Sequence, residues 1–337
     1  MAFNGRFVLR LAHFAARQGG DFDTLVKLSG KSVDELSAEY CIVEDESYNK
    51  LIENAIENCQ DPYLGLHFGE SQHLSAYGLV AQITQTSSTI KEALEFACQF
   101  SNLGCSALPM QLQSLDNHYR LLFTPNPLWL EQSPIAVQHT TTGFITFAVK
   151  QFQSLTREQH RPIAIHFPWK MQAGLAEYER IFNCPIRFQQ PEIAILLHKA
   201  QVEDRILSSN YKLLRVLVAH AEAQLALIKQ QGGFAAIVKQ SMVNLVKPAF
   251  PTVEQVASHL NISARTLQRR LQEEGSTFKG IMDELRKDFA IAYLKRIDLS
   301  ISEIAYLLSY SDSSAFTRSF RRWTGQSPKA FRSETIA

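Results

Sequence analysis

The 337-residue chain has five cysteines, and no two of them form a C-x-x-C pair. Cys41, Cys59, Cys98, Cys105 and Cys184 are odd in number and scattered, which reads as reduced thiols in a cytosol. The ten histidines show no H-E-x-x-H or comparable ligand spacing, so no metal is expected. There is no run of about 18 apolar residues, which argues against a helical membrane span. A Gly-rich phosphate loop of the G-x-x-x-x-G-K-[ST] type is missing, as is a G-x-S-x-G elbow. These absences point away from an enzyme and call for no cofactor. Acid is also missing from the first twenty residues, which hold Arg6, Arg10 and Arg17. Such a start is shared with organellar transit peptides. Here, however, Phe7, Leu11, Phe14 and Ala15 make a helical stripe with the arginines off it, as in an ordinary amphipathic helix.

Charge is unevenly spread. From Lys247 onward there are 14 Lys and Arg against 10 Asp and Glu, a net of +4, which leaves −3 for the rest of the chain. A basic end on a mildly acidic body suits a polyanion bound by that end alone, with only modest non-specific affinity.

That basic end carries two similar patterns. The first, TVEQVASHLNISARTLQRRLQE, runs from Thr252 to Glu273. Val253, Val256, Ala257 and Leu260 make one apolar face, Asn261 takes the turn, and Ser263 is placed to N-cap the next helix. Leu267 and Leu271 point inward, which leaves Arg265, Gln268, Arg269 and Gln272 together on the outer face. The second, SEIAYLLSYSDSSAFTRSFRRW, runs from Ser302 to Trp323. Ile304, Ala305, Leu307 and Leu308 pack its first helix, and Tyr310 anchors the turn. Ser311, Asp312 and Ser313 are competent caps, and Phe316, Phe320 and Trp323 form the inner stripe. Ser313, Ser314, Thr317, Arg318 and Arg321 face out. Each pattern is a helix-turn-helix whose second helix can enter a DNA major groove. There Arg pairs with guanine and Gln with adenine, for about 1–3 kcal/mol of discrimination each. Between them, residues 278–295 hold helical spacing, for a connector of roughly 27 Å at about 1.5 Å per residue. Lys329 and Arg332 follow as phosphate contacts or ordinary surface charges. The alternative, plain amphipathic helices in a bundle, does not account for two turns with matching caps and polar faces.

On these residues the last hundred positions resemble the AraC/XylS family of bacterial transcription regulators. The likeness rests on Ala257, Ser263, Arg265, Leu267, Arg269, Leu271, Gly275 and Phe278, then Arg286, Ala290 and Leu294. It continues through Ile304, Ala305, Phe316, Arg318, Phe320, Gly325, Ser327, Pro328, Phe331 and Arg332. The resemblance implies that Arg265, Gln268 and Arg269 reach bases, and less regularly Ser313, Ser314, Thr317 and Arg318. It also implies a double-stranded promoter as partner, with RNA polymerase as a further candidate. One residue departs from the family: Ser309 stands where Gly is usual in the second turn. If that position needs positive φ, serine there costs on the order of 1 kcal/mol.

The N-terminal two-thirds reads as α+β. Residues 1–60 read as helices, and Asp61-Pro62 is a break. Ser87-Ser88-Thr89 can cap a helix at Ile90–Phe100, and another helix-like stretch spans Ile135–Gln153. Gln111–Leu115, Tyr119–Thr124, Ile163–Phe167 and Pro185–Phe188 are strand-like, and Ala194–Leu197 is a last apolar run; together they suggest a small antiparallel sheet. DPYLGLHFG, YGLVAQITQTSSTIKEALEFACQF and YERIFNCPIRFQQPEIAILL resemble the effector domain of a subgroup that includes ornithine-utilisation and VirS-like regulators. That domain is not a cupin barrel, and the likeness implies that it senses a small molecule it does not identify. Phe68, Tyr77, His139 with the three threonines after it, and Tyr178 are candidate effector contacts; each also reads as a core residue. Gly65, Gly69 and Gly78 read as turn or close-packing positions.

Ile206 to Ile228 is apolar over more than one face, with Leu213, Leu214 and Leu217 among its residues. Such a helix docks on its own domain or pairs with the same helix of a second copy, with Leu213, Leu214 and Leu217 as the candidate dimerisation residues; the resemblance adds that the family generally dimerises through its N-terminal part. Gln230-Gln231-Gly232-Gly233 then reads as a helix break, and Lys247-Pro248-Ala249-Phe250-Pro251 as a stiff lead. The expected organisation is an α+β effector domain (1–205), a helical linker (206–247) and an all-α tandem helix-turn-helix domain (248–337). The expected function is a cytoplasmic, dimeric, effector-responsive regulator, most simply an activator. The alternatives are a constitutive DNA binder or interaction protein with no ligand, and a repair protein with a cysteine alkyl acceptor. The scattered cysteines disfavour the last.

Overall fold

The computed structural model describes residues 2–38, 41–73, 78–103, 105–156, 161–171, 174–246, 249–260 and 262–336. Met1–Pro125 with Ser133–Leu225 form one compact unit, and Asn126–Gln132 with Ala226–Ala337 form a second. Among the described residues no helix is long and apolar enough to cross a membrane.

The first unit opens with a strand, β1 (Ala2–Asn4), followed by α1 (Gly5–Arg17), α2 (Phe22–Leu28) and α3 (Val33–Ser37). A second strand, β2 (Ile42–Glu44), pairs antiparallel with β1, and α4 (Asp45–Asn58) follows. An all-helical start is therefore corrected: strands of three residues are too short to show an alternating pattern. On α1, Phe7, Leu11, Phe14 and Ala15 are all buried, so the arginine-rich start is an amphipathic helix of the fold.

After the Asp61-Pro62 break come α5 (Leu64–Ser71), α6 (Gly78–Thr86) and α7 (Ile90–Gln99), the last capped by Thr89. The strands β3 (Met110–Ser114) and β4 (His118–Phe123) form a hairpin. Then α8 (Pro127–Gln132), which belongs to the second unit, precedes the central α9 (Pro134–Leu155). β5 (Ala164–His166), α10 (Leu175–Phe182), β6 (Ile186–Arg187), β7 (Ile193–His198) and α11 (Lys199–Glu203) complete the set. The five-stranded sheet runs β3-β4-β7-β5-β6. It is antiparallel except at its edge, where β5 and β6 are parallel. The expected antiparallel sheet is corrected there: α10 lies between β5 and β6 in the chain and supplies the crossover a parallel pair needs.

Glycine sets the approach of α5 to α9. A Cβ on Gly65 would stand 2.1 Å from the His139 carbonyl oxygen, and one on Gly69 would stand 2.2 Å from that of Gly143. Only hydrogen fits at either place.

Helix α12 (Tyr211–Leu245) is continuous, where a break at residues 230–233 was expected. The amides of Phe234 and Ala235 donate to the Glu274 carboxylate, at 2.5 and 2.9 Å. Within the first unit Leu214 and Ala221 join Ile83 and Phe100 in one apolar cluster, with Leu217, Val218 and Leu225 packed against it.

The second unit is helical: α13 (Val253–His259), α14 (Ala264–Glu273), α15 (Phe278–Leu294), α16 (Ile301–Leu307), α17 (Ser313–Thr324) and α18 (Pro328–Ile336). Capping boxes start α13 (Thr252 with Gln255) and α16 (Ser300 with Glu303). Leu267, Leu271, Leu285, Phe289, Phe316 and Phe320 are all 1% exposed or less and fill the core. Beside α15, Glu131 of α8 pairs with Arg296 at 3.0 Å.

Candidate DNA interface and effector pocket

Helix α14 begins where Ser263 accepts the Thr266 amide at 3.1 Å, which fixes the rotation of the helix after it. Leu267 and Leu271 turn into the core, and Ser263, Arg265, Gln268, Arg269 and Gln272 are exposed. The Arg269 Nε lies 3.8 Å from Glu273, a surface pair worth little and easily given up to a stronger acceptor. Gly275, at φ +68°, ends the unit without strain.

Of the three caps that compete for α17, Asp312 holds the position and accepts the Ala315 amide at 2.7 Å. Ser314, Arg318 and Arg321 are exposed; Ser313 and Thr317 are half-buried, and the Thr317 hydroxyl donates to the Ser313 carbonyl. Arg322, which sequence reasoning did not single out, is exposed and reaches Asp283 on α15 at 3.1 Å. Lys329 is exposed, whereas Arg332 is half-buried and donates to the Leu294 carbonyl at the end of α15. That places Arg332 as a helix-end clamp, a role that the motif alone did not separate from a phosphate contact. The turn expected at Asn261 and the lead at Lys247 and Pro248 lie outside the described residues.

In the first unit the pocket begins from the close packing of α5 on α9. The Gly65 amide donates to Nδ1 of His139 at 3.2 Å, so the ring carries its proton on Nε2. Burial pulls the His139 pKa down to about 4, against a small opposing effect of Asp61, so the ring is a neutral donor. His139 and Tyr178 line one pocket with Pro62, Tyr63, Leu66, Gln138 and Thr142. The cavity is about 10 Å³, room for one water-sized sphere. Two of the four effector candidates thus come together. Phe68 does not join them: it packs edge-on against Phe7 and Phe14, both at 5.6 Å. Tyr77 lies outside the described residues.

Sequence reasoning missed Tyr63, Gln138 and the ties over the pocket. The signal available was the polar run Gln138-His139-Thr140-Thr141-Thr142 inside an otherwise apolar helix, all of it buried. Thr140 shares a 2.6 Å hydrogen bond with Tyr48, and the Thr141 hydroxyl has no partner among the described residues. Helix α10, which carries Tyr178, is tied down by polar contacts. Tyr63 Oη donates to the Gly174 carbonyl, and His67 bridges Asp61 at 2.8 Å and Glu177 at 2.7 Å. Arg180 adds Glu177 and Glu70 at 2.6 and 2.7 Å. Burial alone would lower the His67 pKa, but its hydrogen bonds to Glu177 and Asp61 outweigh that and raise it.

Burial pushes Cys98 and Cys184 up to about 11 and Cys105 up to about 12.

Residues 19–206 match the model for the arabinose-binding N-terminal domain of the AraC transcription regulator, and residues 256–334 match a helix-turn-helix domain. The chain is 28% identical over 286 residues to the ornithine utilization regulator of Pseudomonas aeruginosa, covering 85% of this chain and 83% of that one. It is 25% identical over 290 residues to the regulator VirS of Mycobacterium tuberculosis, covering 84% and 82%. Among solved structures, the transcriptional regulator CdpR from Pseudomonas aeruginosa aligns over 95% of this chain and 98% of that one, at 23% identity and a TM-score of 0.45. The chain therefore belongs to the AraC family of transcription regulators, with an effector-binding N-terminal domain followed by a helix-turn-helix DNA-binding domain.

Proposed function

We propose that this regulator is an activator under small-molecule control, and that α14 and α17 read adjacent major grooves of one promoter site. What carries the reading is the pair of capped helices, each with an apolar stripe turned in and Arg, Gln or Ser turned out, joined along the chain by α15. Arg265, Gln268, Arg269 and Gln272 supply most of the base discrimination. Ser314, Arg318 and Arg321 supply fewer base contacts and more backbone ones, because hydroxyls select less sharply than Arg or Gln. The effector enters the pocket lined by His139 and Tyr178. It acts only by binding one arrangement of the protein better than another. A 28% identical relative is named for ornithine utilization, which supports a metabolite derived from an amino acid, such as an amide or lactam, as the class to try first.

The working form is a dimer in the cytoplasm. Supporting association is the exposure of apolar side chains at and just before the start of α12: Leu207, Tyr211, Leu213 and Val216 are each 45% exposed or more. RNA polymerase is the natural partner of an activator bound at a promoter.

The test is selection from a random duplex DNA pool with the full chain, with and without a metabolite library. Enrichment of one site across two adjacent major grooves, altered by a compound, is expected. No enriched site under any condition would overturn the DNA-reading proposal, and enrichment that no compound alters would overturn the sensing one.

A further inference from the structure

The pocket wall holds two polar side chains whose hydrogen bonds are unmade. Gln138 and His139 are each 7% exposed and both line the pocket. Among the described residues the only hydrogen bond to the His139 ring is the Gly65 amide on Nδ1, and the Gln138 side-chain amide has none. Both residues line the pocket with hydrogen-bonding capacity to spare, open to a molecule that enters it. The rest of the lining is Pro62, Tyr63, Leu66, Thr142 and Tyr178. Tyr63 and Tyr178 meet edge to face at 5.9 Å and form an aromatic wall. The Thr142 hydroxyl is already spent on the Gln138 carbonyl at 2.8 Å.

No lining residue carries a charge. The nearest charge felt at His139 is the carboxylate of Asp61, which repels an anion. A carboxylate head would lose its water and gain no cation in return. A neutral amide edge fits better: its carbonyl accepts the His139 Nε2–H, and its N–H donates to the Gln138 side-chain oxygen.

Resting on the sensing reading above, we propose that this pocket recognises the uncharged amide or lactam edge of a small molecule through Gln138 and His139, with the body of the ligand against Tyr63 and Tyr178. The cavity as it stands is water-sized, so binding moves Tyr178, and with it α10, against the ties from Tyr63, His67 and Glu70. This links occupancy of the pocket to a defined shift of one helix.

The test uses the full chain labelled with ¹⁵N in histidine, titrated with 2-pyrrolidinone and separately with acetate. The expected result is a saturable shift of the His139 Nε2–H signal with the lactam, and a response to acetate weaker by about ten-fold or more. The variant Gln138→Leu keeps the shape of the site and should abolish the lactam response while its unfolding midpoint is retained. Three outcomes would overturn the proposal: no saturable response to the lactam, an equal response to acetate, or a lactam response unchanged in Gln138→Leu. A single bound water that the lactam never displaces gives the first of these. The sensing reading fails separately, if no compound in a mixed metabolite pool alters DNA selection by the same preparation.

Discussion

The guanidinium of Arg286 lies over the ring of Tyr310, 5.2 Å from its centroid. It also lies over the Phe250 ring, 5.5 Å from that centroid. Its Nε is buried without a hydrogen-bond partner, so stacking rather than hydrogen bonding holds the side chain. Arg286 thereby pins the turn of the second helix-turn-helix to α15, while Phe250, which leads into the first, also rests on Phe289 of α15 at 5.5 Å. Replacing Arg286 with Lys keeps the charge but loses the planar stack. Arg286→Lys is expected to destabilise the second unit by about 1–2 kcal/mol, read as a lower urea midpoint for that unit. An unchanged midpoint would deny the stack its role.

Ser309 takes φ +59°, a left-handed conformation rare for a residue with a side chain. The departure noted in the sequence therefore does carry strain. Ser309→Gly should stabilise the second unit by about 1 kcal/mol, seen as a higher thermal midpoint. A lower midpoint would mean that the hydroxyl contributes more than the strain costs.

His139 titrates at about 4 in the folded chain, below its ordinary value near 6.5, because it is buried. The unfolded chain binds that proton more readily, so the contribution of this group to stability is whole above about 6.5 and falls as pH drops toward 4. The loss is on the order of 3 kcal/mol by pH 4. His67 works the other way, since its folded pKa is raised: its contribution is present at low pH and is lost as pH rises through the folded value. Urea midpoints measured from pH 7 down to pH 4 should fall, and less steeply in His139→Gln. Equal slopes in the two proteins would place the pH sensitivity elsewhere.

Leu213 and Leu214 are neighbours with opposite surroundings: Leu214 is 3% exposed in the core of its own unit, and Leu213 is 45% exposed. Leu213→Asp together with Val216→Asp should yield a monomer by light scattering at an unchanged unfolding midpoint. Leu214→Ala should instead cost about 2–5 kcal/mol of stability and leave the association state alone. A dimer that survives the double Asp variant would move the interface off this face.

How much of this was legible in the sequence depended on the range of the interactions involved. The two helix-turn-helix units were readable because their information is local. Caps, turns and stripes such as Ser263, Leu267 and Leu271 act within a few residues. The α5–α9 packing was half legible. Gly65 and Gly69 read as close-packing positions, but the backbone each would strike, that of His139 and Gly143, is distant in sequence. The pocket was barely legible. His139 and Tyr178 were candidates on residue type alone, and Tyr63 and Gln138 joined them only once α5, α9 and α10 met. Strands β1 and β2 gave no periodic signal, and Glu274 gave no hint of the amides it would accept from Phe234 and Ala235. Arg332 looked like any basic tail residue until the end of α15 came within its reach.

The most direct test of two helices reading two grooves is site selection resolved by half-site. Full-length Arg269→Ala and Arg318→Ala would each be run against the parent protein on the same random duplex pool. Arg269→Ala should relax preference at one position in one half of the site, and Arg318→Ala should relax it only in the other half. Each loss should be about 1–3 kcal/mol at that position. Site profiles identical to the parent's in both variants, or relaxation confined to the same half, would contradict the tandem reading.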